Sequence, residues 1–181
     1  LRMSRFYLVQ AELAWESPET NRRHLDGLLS HCSEGVIVLP EMFTTGFSMA
    51  SARLAETMEG KTIQWMKAKA RLLRSIVCGS QIIKSNDHYF NRFLWVDPTG
   101  KIFHYDKRHL FRMAGEHNYY SPGQHRITVP TGTEKLLPQV CYDLRFPAFS
   151  RNRGDYDIIL YVANWPAPRR EQWLTLLKAR A

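Results

Sequence analysis

The sequence predicts an α/β fold with mixed sheets. Three observations carry that prediction. Short, wholly apolar runs rich in β-branched residues, such as "GVIVLP" at 35–40, end abruptly at turn-forming residues. Amphipathic stretches at helical spacing lie between several of these runs. A third pattern, two strand-like runs flanking "DPTG" at 97–100, demands an antiparallel hairpin and so mixes the strand directions.

Residues 5–11, "RFYLVQA", read as a first strand. Residues 19–33 read as a helix, because Leu25, Leu28 and Leu29 recur at i, i+3 and i+4. "GVIVLP" then has the pattern of a strand buried on both faces, stopped by Pro40. Residues 61–74 are helical again, with Ile63, Met66, Ala70 and Leu73 on one stripe. "SIVCGSQII" at 75–83 is a second buried strand, followed by the hairpin of "YFNRFLWV" and "KIFHYD". Residues 107–125 form a long loop. "KLLPQVC" at 135–141 and "YDIILYVANW" at 156–165 are the last strands, and "PAPRREQWLTLLKARA" begins a final helix with proline near its start. Trp173, Leu176 and Leu177 give that helix an apolar stripe in need of a partner.

At 181 residues the chain fits one domain over 1–181. Its composition, 44% hydrophobic and 23% charged, argues against disorder and for a substantial core. The formal charge of +8 raises nucleic acid as a partner, but the basic residues are scattered and no zinc-finger or RNP-type motif accompanies them. Nucleic acid is therefore not expected. The three cysteines, Cys32, Cys78 and Cys141, are odd in number and widely spaced, which fits a reducing cytoplasm better than a disulfide framework. No apolar run approaches the roughly 20 residues that cross a bilayer. The opening "LRMSRFYLVQ" lacks a signal-peptide core, and Met3 is expected to be the natural start.

Three polar residues stand immediately after expected strands: Glu41, Lys107 and Cys141. Strand ends combine a rigid scaffold with an accessible side chain. If folding unites them, a carboxylate can take the thiol proton and an ammonium can stabilise the thiolate. The same ammonium, with a backbone N–H, can hold the oxyanion formed when sulfur attacks an amide carbonyl. Cysteine, glutamate and lysine then suffice for acyl transfer without histidine. Taken singly, each residue has a plainer reading: Cys141 as a small core residue, Glu41 as a cap or surface partner, Lys107 as a solvated charge. Cys78 reads as core. Cys32 beside His31 lacks a second ligand pair, so no metal is expected.

The segments "LPEMF" at 39–43, "YDKRHLF" at 105–111 and "CYDLRFP" at 141–147, in that order, resemble the three signature blocks of the nitrilase superfamily, the carbon–nitrogen hydrolases. "EHNYYSPG" at 116–123 and "YVANWP" at 161–166 agree with it, and the resemblance covers nearly the whole chain. Within the superfamily, "LPEMFTTGF", "KRHLFRMAGEHNYYSPG" and "YVANWPAPR" resemble bacterial omega-amidases, which hydrolyse 2-oxoglutaramate and related monoamides.

The resemblance implies a four-layer α-β-β-α sandwich that self-associates as a homodimer or larger. It implies Cys141 as nucleophile, Glu41 as general base, Lys107 and the Tyr142 N–H as oxyanion donors, and Glu116 as a second glutamate beside the lysine. An ion pair of Glu116 with Arg108 or Arg112 is the alternative. No metal or organic cofactor is implied. A small 2-oxo acid amide would be the substrate, its remote carboxylate calling for a cation. Arg145 is one candidate, with a structural pair to Asp143 as its alternative; Arg112, Arg169 and Arg170 are others. Phe47, Tyr142 and Trp165 either wall the pocket or fill the core. Members of the superfamily continue past the last helix with further strands, so the chain is expected to be C-terminally incomplete. The competing readings are another amidase or carbamoylase of this superfamily, a Cys–His hydrolase using one of His104, His109, His117 or His125, and a truncated, inactive relative serving in binding or assembly.

Overall fold

The computed structural model describes residues 5–181, so the expected start at Met3 lies outside the described residues. Strands β1 (Phe6–Leu8), β2 (Val36–Val38), β3 (Ile76–Ser85), β4 (His88–Val96) and β5 (Ile102–Asp106) form one sheet in sequence order. The pairs β1–β2 and β2–β3 are parallel; β3–β4 and β4–β5 are antiparallel. A second sheet holds β6 (Val129–Thr131), β7 (Glu134–Val140) and β8 (Ile158–Val162), the first pair antiparallel and the second parallel. Both sheets are thus mixed.

The period-2 pattern of the strands divides the core into layers. Ile37, Val77, Leu94 and Val96 face α1 (Pro18–Leu28) and α3 (Lys61–Leu72), packing on Leu25, Ile63, Met66 and Ala70. Their neighbours Val36, Val38, Cys78, Phe93 and Trp95 point the other way, onto Leu136, Val140 and Val162 of the second sheet. All three residues of β2 are buried, as a strand covered on both faces requires. Beyond the second sheet, α4 (Pro147–Ser150) and α5 (Arg170–Arg180) pack on the turn at 141–145, where Arg180 donates to the Leu144 carbonyl at 2.8 and 3.1 Å. The layer order is α-β-β-α. A one-turn helix, α2 (Ser51–Leu54), was not anticipated.

Three local departures from the sequence reading have physical causes. The helix expected over 19–33 tightens into a 3₁₀ turn at Leu29–His31, where the Ser30 hydroxyl bonds the Gly27 carbonyl at 2.8 Å. Leu25 and Leu29 are buried, whereas Leu28 turns outward. The strand expected to stop at 83 continues to Ser85 and folds back through Asn86–Asp87, with Asn86 at φ +52°. Asparagine tolerates that left-handed geometry, which two-residue hairpin turns favour. Short β6 has no alternating pattern that would have announced it.

Gly123 returns the long loop to the end of β5. Its N–H donates to the Lys107 carbonyl at 2.9 Å, and a Cβ at this position would lie 2.0 Å from the Asp106 carbonyl oxygen. Gly123→Ala is therefore expected to lower stability by about 3 kcal/mol, the upper range for overpacking. A urea midpoint close to that of the parent would contradict this.

Candidate active site

The carboxyl ends of β2, β5 and β7 converge at the seam between the sheets. Pro40 stops the β2 run and hands over to Glu41, whose N–H reaches the Ala163 carbonyl at 3.4 Å, just beyond β8. Lys107 follows β5, and its N–H bonds the Asn91 carbonyl on β4 at 3.0 Å. Cys141 follows β7 and opens a 3₁₀ turn over Cys141–Arg145. Glu116 opens another, over Glu116–Asn118.

These four side chains meet, and all are buried. The Lys107 ammonium donates to Glu41 Oε1 at 2.9 Å and to both oxygens of Glu116 at 3.0 Å. Glu41 Oε2 accepts the Asn164 N–H at 3.0 Å. Glu116 Oε2 accepts the Phe111 N–H at 2.5 Å. The Cys141 thiol lies close enough to Glu41 and Lys107 to feel both charges.

Burial shapes the electrostatics. It pushes the Cys141 thiol well above its ordinary pKa; the Glu41 charge adds to this, and Lys107 opposes it. The resting group is therefore a protonated thiol with its acceptor in place. Burial alone would lower Lys107, but Glu41, Glu116 and Cys141 outweigh it and hold the ammonium above its usual range. Glu116 is raised by burial against the pull of Lys107. One cation thus serves two carboxylates in a dry pocket.

The nucleophile-bearing turn is held in an uncommon geometry. Cys141 has φ +45°, a left-handed conformation costing about 1–3 kcal/mol for a residue with a side chain. Asp143, fully buried, braces it. Its Oδ2 accepts the Val140 N–H at 3.0 Å and the Tyr105 hydroxyl at 2.8 Å. Its Oδ1 accepts the His109 N–H at 2.9 Å and meets His109 Nδ1 at 2.8 Å. The His109 ring stacks on Phe146 with centroids 3.8 Å apart.

Two alternatives left open by the sequence are decided by this arrangement. Arg145 does not pair with Asp143, whose oxygens are taken from the inner side; it turns outward, its guanidinium 5.5 Å from the Trp165 ring. Glu116 does not pair with Arg108 or Arg112. It takes Lys107, while Arg108 bonds the Gly123 carbonyl and Gln124.

The aromatic candidates differ in what they touch. Phe47 sits with its ring 5.1 Å from the Lys107 ammonium. Tyr142 lies between Phe111 and Phe146, at 5.0 and 5.4 Å. Trp165 packs beside Trp173 at 5.0 Å and donates its indole N–H to the Arg169 carbonyl at 2.7 Å. Cys78 is core, and Cys32 is buried near the α1 side.

Sequence reasoning missed Asn91, which donates to Glu41 Oε1 at 2.8 Å and Glu116 Oε1 at 3.3 Å. A signal was available: in "NRFLWV" the positions of Phe93 and Trp95 face the second sheet, and Asn91 falls on that same apolar face. The Asn164 and Phe111 N–H groups, being backbone, left no trace in residue type.

Comparison with known proteins agrees with this geometry. The family model described as carbon–nitrogen hydrolase matches residues 8–181. An omega-amidase, YafV, from Yersinia enterocolitica is 51% identical over 96% of this chain and 68% of its own length. A 2-oxoglutaramate amidase from Bacillus subtilis is 31% identical over 96% of this chain and 70% of its own. A crystal structure from Xanthomonas campestris, of a superfamily protein with an arsenic adduct in its active site, superposes with a TM-score of 0.94 at 42% identity, covering 97% of this chain and 70% of that one. The layered fold, the buried cluster at the sheet seam and this agreement along almost the whole sequence place the chain in the carbon–nitrogen hydrolase family.

Proposed function

We propose that the chain is an omega-amidase, hydrolysing the terminal amide of small 2-oxo dicarboxylic monoamides such as 2-oxoglutaramate to the 2-oxo acid and ammonia. The observation that carries this reading is the buried Cys141 thiol beside Glu41, a carboxylate that a buried ammonium also holds. The omega-amidase and 2-oxoglutaramate amidase relatives support the substrate class.

The roles follow from the chemistry. As Sγ attacks the amide carbon, Glu41 takes the thiol proton. The new oxyanion is met by the Lys107 ammonium and the Tyr142 N–H. Glu41 returns the proton to the leaving nitrogen, ammonia departs, and a Cys141 thioester remains. Glu41 then deprotonates water, whose oxygen attacks the thioester; collapse releases the acid and restores the thiol. Glu116 keeps Lys107 charged and fixed. Phe47, Tyr142 and Trp165 wall the pocket. Arg145, which no carboxylate pairs among the described residues, supplies the cation for the substrate's remote carboxylate.

The assembly is a homodimer or larger, acting in the cytoplasm as one hydrolase domain. In support, α5 has no fully buried residue although Trp173, Leu176 and Leu177 line it. No helix of the described residues is long and apolar enough to cross a membrane.

The test is ammonia release from 2-oxoglutaramate, measured beside a short aliphatic amide that lacks the remote carboxylate. The omega-amidase reading expects kcat/KM to fall at least about 100-fold on the second compound, the scale of a lost charge-assisted contact in a site built for it. Equal rates would point to a general aliphatic amidase of the same family.

A further inference from the structure

Asn91 touches three of the four groups at the site, through two different parts of the residue. Its side-chain amide donates to Glu41 Oε1 at 2.8 Å and to Glu116 Oε1 at 3.3 Å. Its carbonyl accepts the Lys107 N–H at 3.0 Å. It is 1% exposed and lies on β4, the strand beside β5, so the contact to Lys107 extends the β4–β5 ladder by one residue. The carboxylates come from elsewhere: Glu41 follows β2 and Glu116 lies in the loop after β5.

Packing does not explain an amide here. Its neighbours on the same strand face, Phe93 and Trp95, are apolar and buried. Among the described residues Asn91 Oδ1 has no hydrogen-bond partner, so the amide leaves a buried acceptor unmet in order to aim its NH₂ at two carboxylates. The reverse orientation would set an oxygen against both of them. The amide is the neutral donor that two like charges around one ammonium require: it spreads a favourable contact over both without adding a second cation.

We propose that Asn91 is a positioning residue of the hydrolase, holding Glu41 and Glu116 in register with Lys107 so that the base stays aimed at the Cys141 thiol. The proposal rests on the roles assigned above to those four residues and adds a fifth that acts only through them. The groups that face the carboxylate pair are the Lys107 ammonium from the end of β5, the Cys141 thiol from the end of β7 and the Tyr120 phenol from the loop, whose hydroxyl donates to the Ser48 carbonyl at 2.5 Å. Removing the amide donor disfavours the ionised form of the pair, so the acid limb of any rate that needs the base must move to higher pH.

Two variants and two readouts test this. Asn91→Leu keeps similar bulk without a donor; Asn91→Asp keeps the shape and replaces the donor with a third carboxylate. For each, the pH profile of kcat and KM on 2-oxoglutaramate is measured, together with the pH profile of iodoacetamide alkylation at Cys141, followed on its peptide by mass spectrometry. Asn91→Leu is expected to lose about tenfold in kcat with KM changed less than about twofold. Its acid limb should rise by about one pH unit in both readouts, the effect of one hydrogen bond to a charged group. Asn91→Asp should shift further in the same direction. Wild-type acid limbs in folded Asn91→Leu, or activity that merely tracks the folded fraction, would overturn the proposal. If Asn91→Leu does not fold, an unshifted limb in Asn91→Asp overturns it, and so does failure of both variants to fold, which would make the residue structural. Alkylation needs no substrate. An unreactive 2-oxoglutaramate would therefore count against the functional reading alone, while the thiol profile still decides the role of Asn91.

Discussion

Cys141→Ala is expected to abolish ammonia release while leaving the protein folded and able to bind substrate. The thiol supplies the only atom that forms a bond to the acyl carbon in the first half of the cycle, so what remains is the slow attack of water in a pocket arranged for sulfur. The expected loss is at least on the order of 10⁴-fold in kcat, comparable with removing the nucleophile of other acyl-transfer enzymes. The fold should tolerate the change. Alanine removes only one sulfur atom, and the bracing of the turn runs through Asp143, Val140 and Tyr105, none of which the thiol holds. Isothermal titration of Cys141→Ala with 2-oxoglutaramate checks the second half of the statement. Wild-type turnover would refute the nucleophile assignment, and intact binding without turnover is the expected result.

Lys107→Met should be nearly as damaging, and by two routes. One oxyanion donor is lost, which costs on the order of 10²–10³-fold in kcat. The cation that binds Glu41 and Glu116 is lost as well, leaving two buried carboxylates with neutral donors only. Breaking such a buried pair costs about 3–5 kcal/mol, so the variant should also unfold at lower urea. The sign of the pH dependence separates this from a simple packing defect. Burial already raises Glu116, and without Lys107 the Phe111 N–H is left as the main group opposing that rise. Protonation then relieves the unpaired charge, so the stability gap to wild type should narrow as pH falls. In the wild type, the elevated pKa of Lys107 works in the opposite sense: its stabilisation is complete below the unfolded lysine value and fades only as pH rises past it. A gap that stays constant across the acid range would mean that the carboxylates are not what the lysine holds.

The parts of the fold that local physics determines were legible. "VIV" before Pro40 is a strand because both its faces are covered, and covered strands need no polar alternation. Ile63, Met66 and Ala70 are buried at the spacing that suggested them. Glu41, Lys107 and Cys141 stood out because each stands immediately after an expected strand, where a side chain leaves the sheet. Other features depended on residues distant in the chain. The Asp143 carboxylate appeared free for Arg145, two residues on, yet it is occupied by Tyr105 of β5 and by His109 just beyond that strand, both from the opposite sheet's side. Asn91 shares a strand face with Phe93 and Trp95, a pattern present in the sequence, but that this face meets Glu41 and Glu116 depends on segments distant in the chain. The turn at Asn86–Asp87 was missed because the apolar run ends at Ile83, two residues before the strand does.

Because the base and the ammonium issue from one sheet and the sulfur from the other, hydrolytic competence belongs to neither half of the sandwich. The cluster therefore exists only where the two sheets meet, and a change that loosens their packing disperses it without touching any of its members.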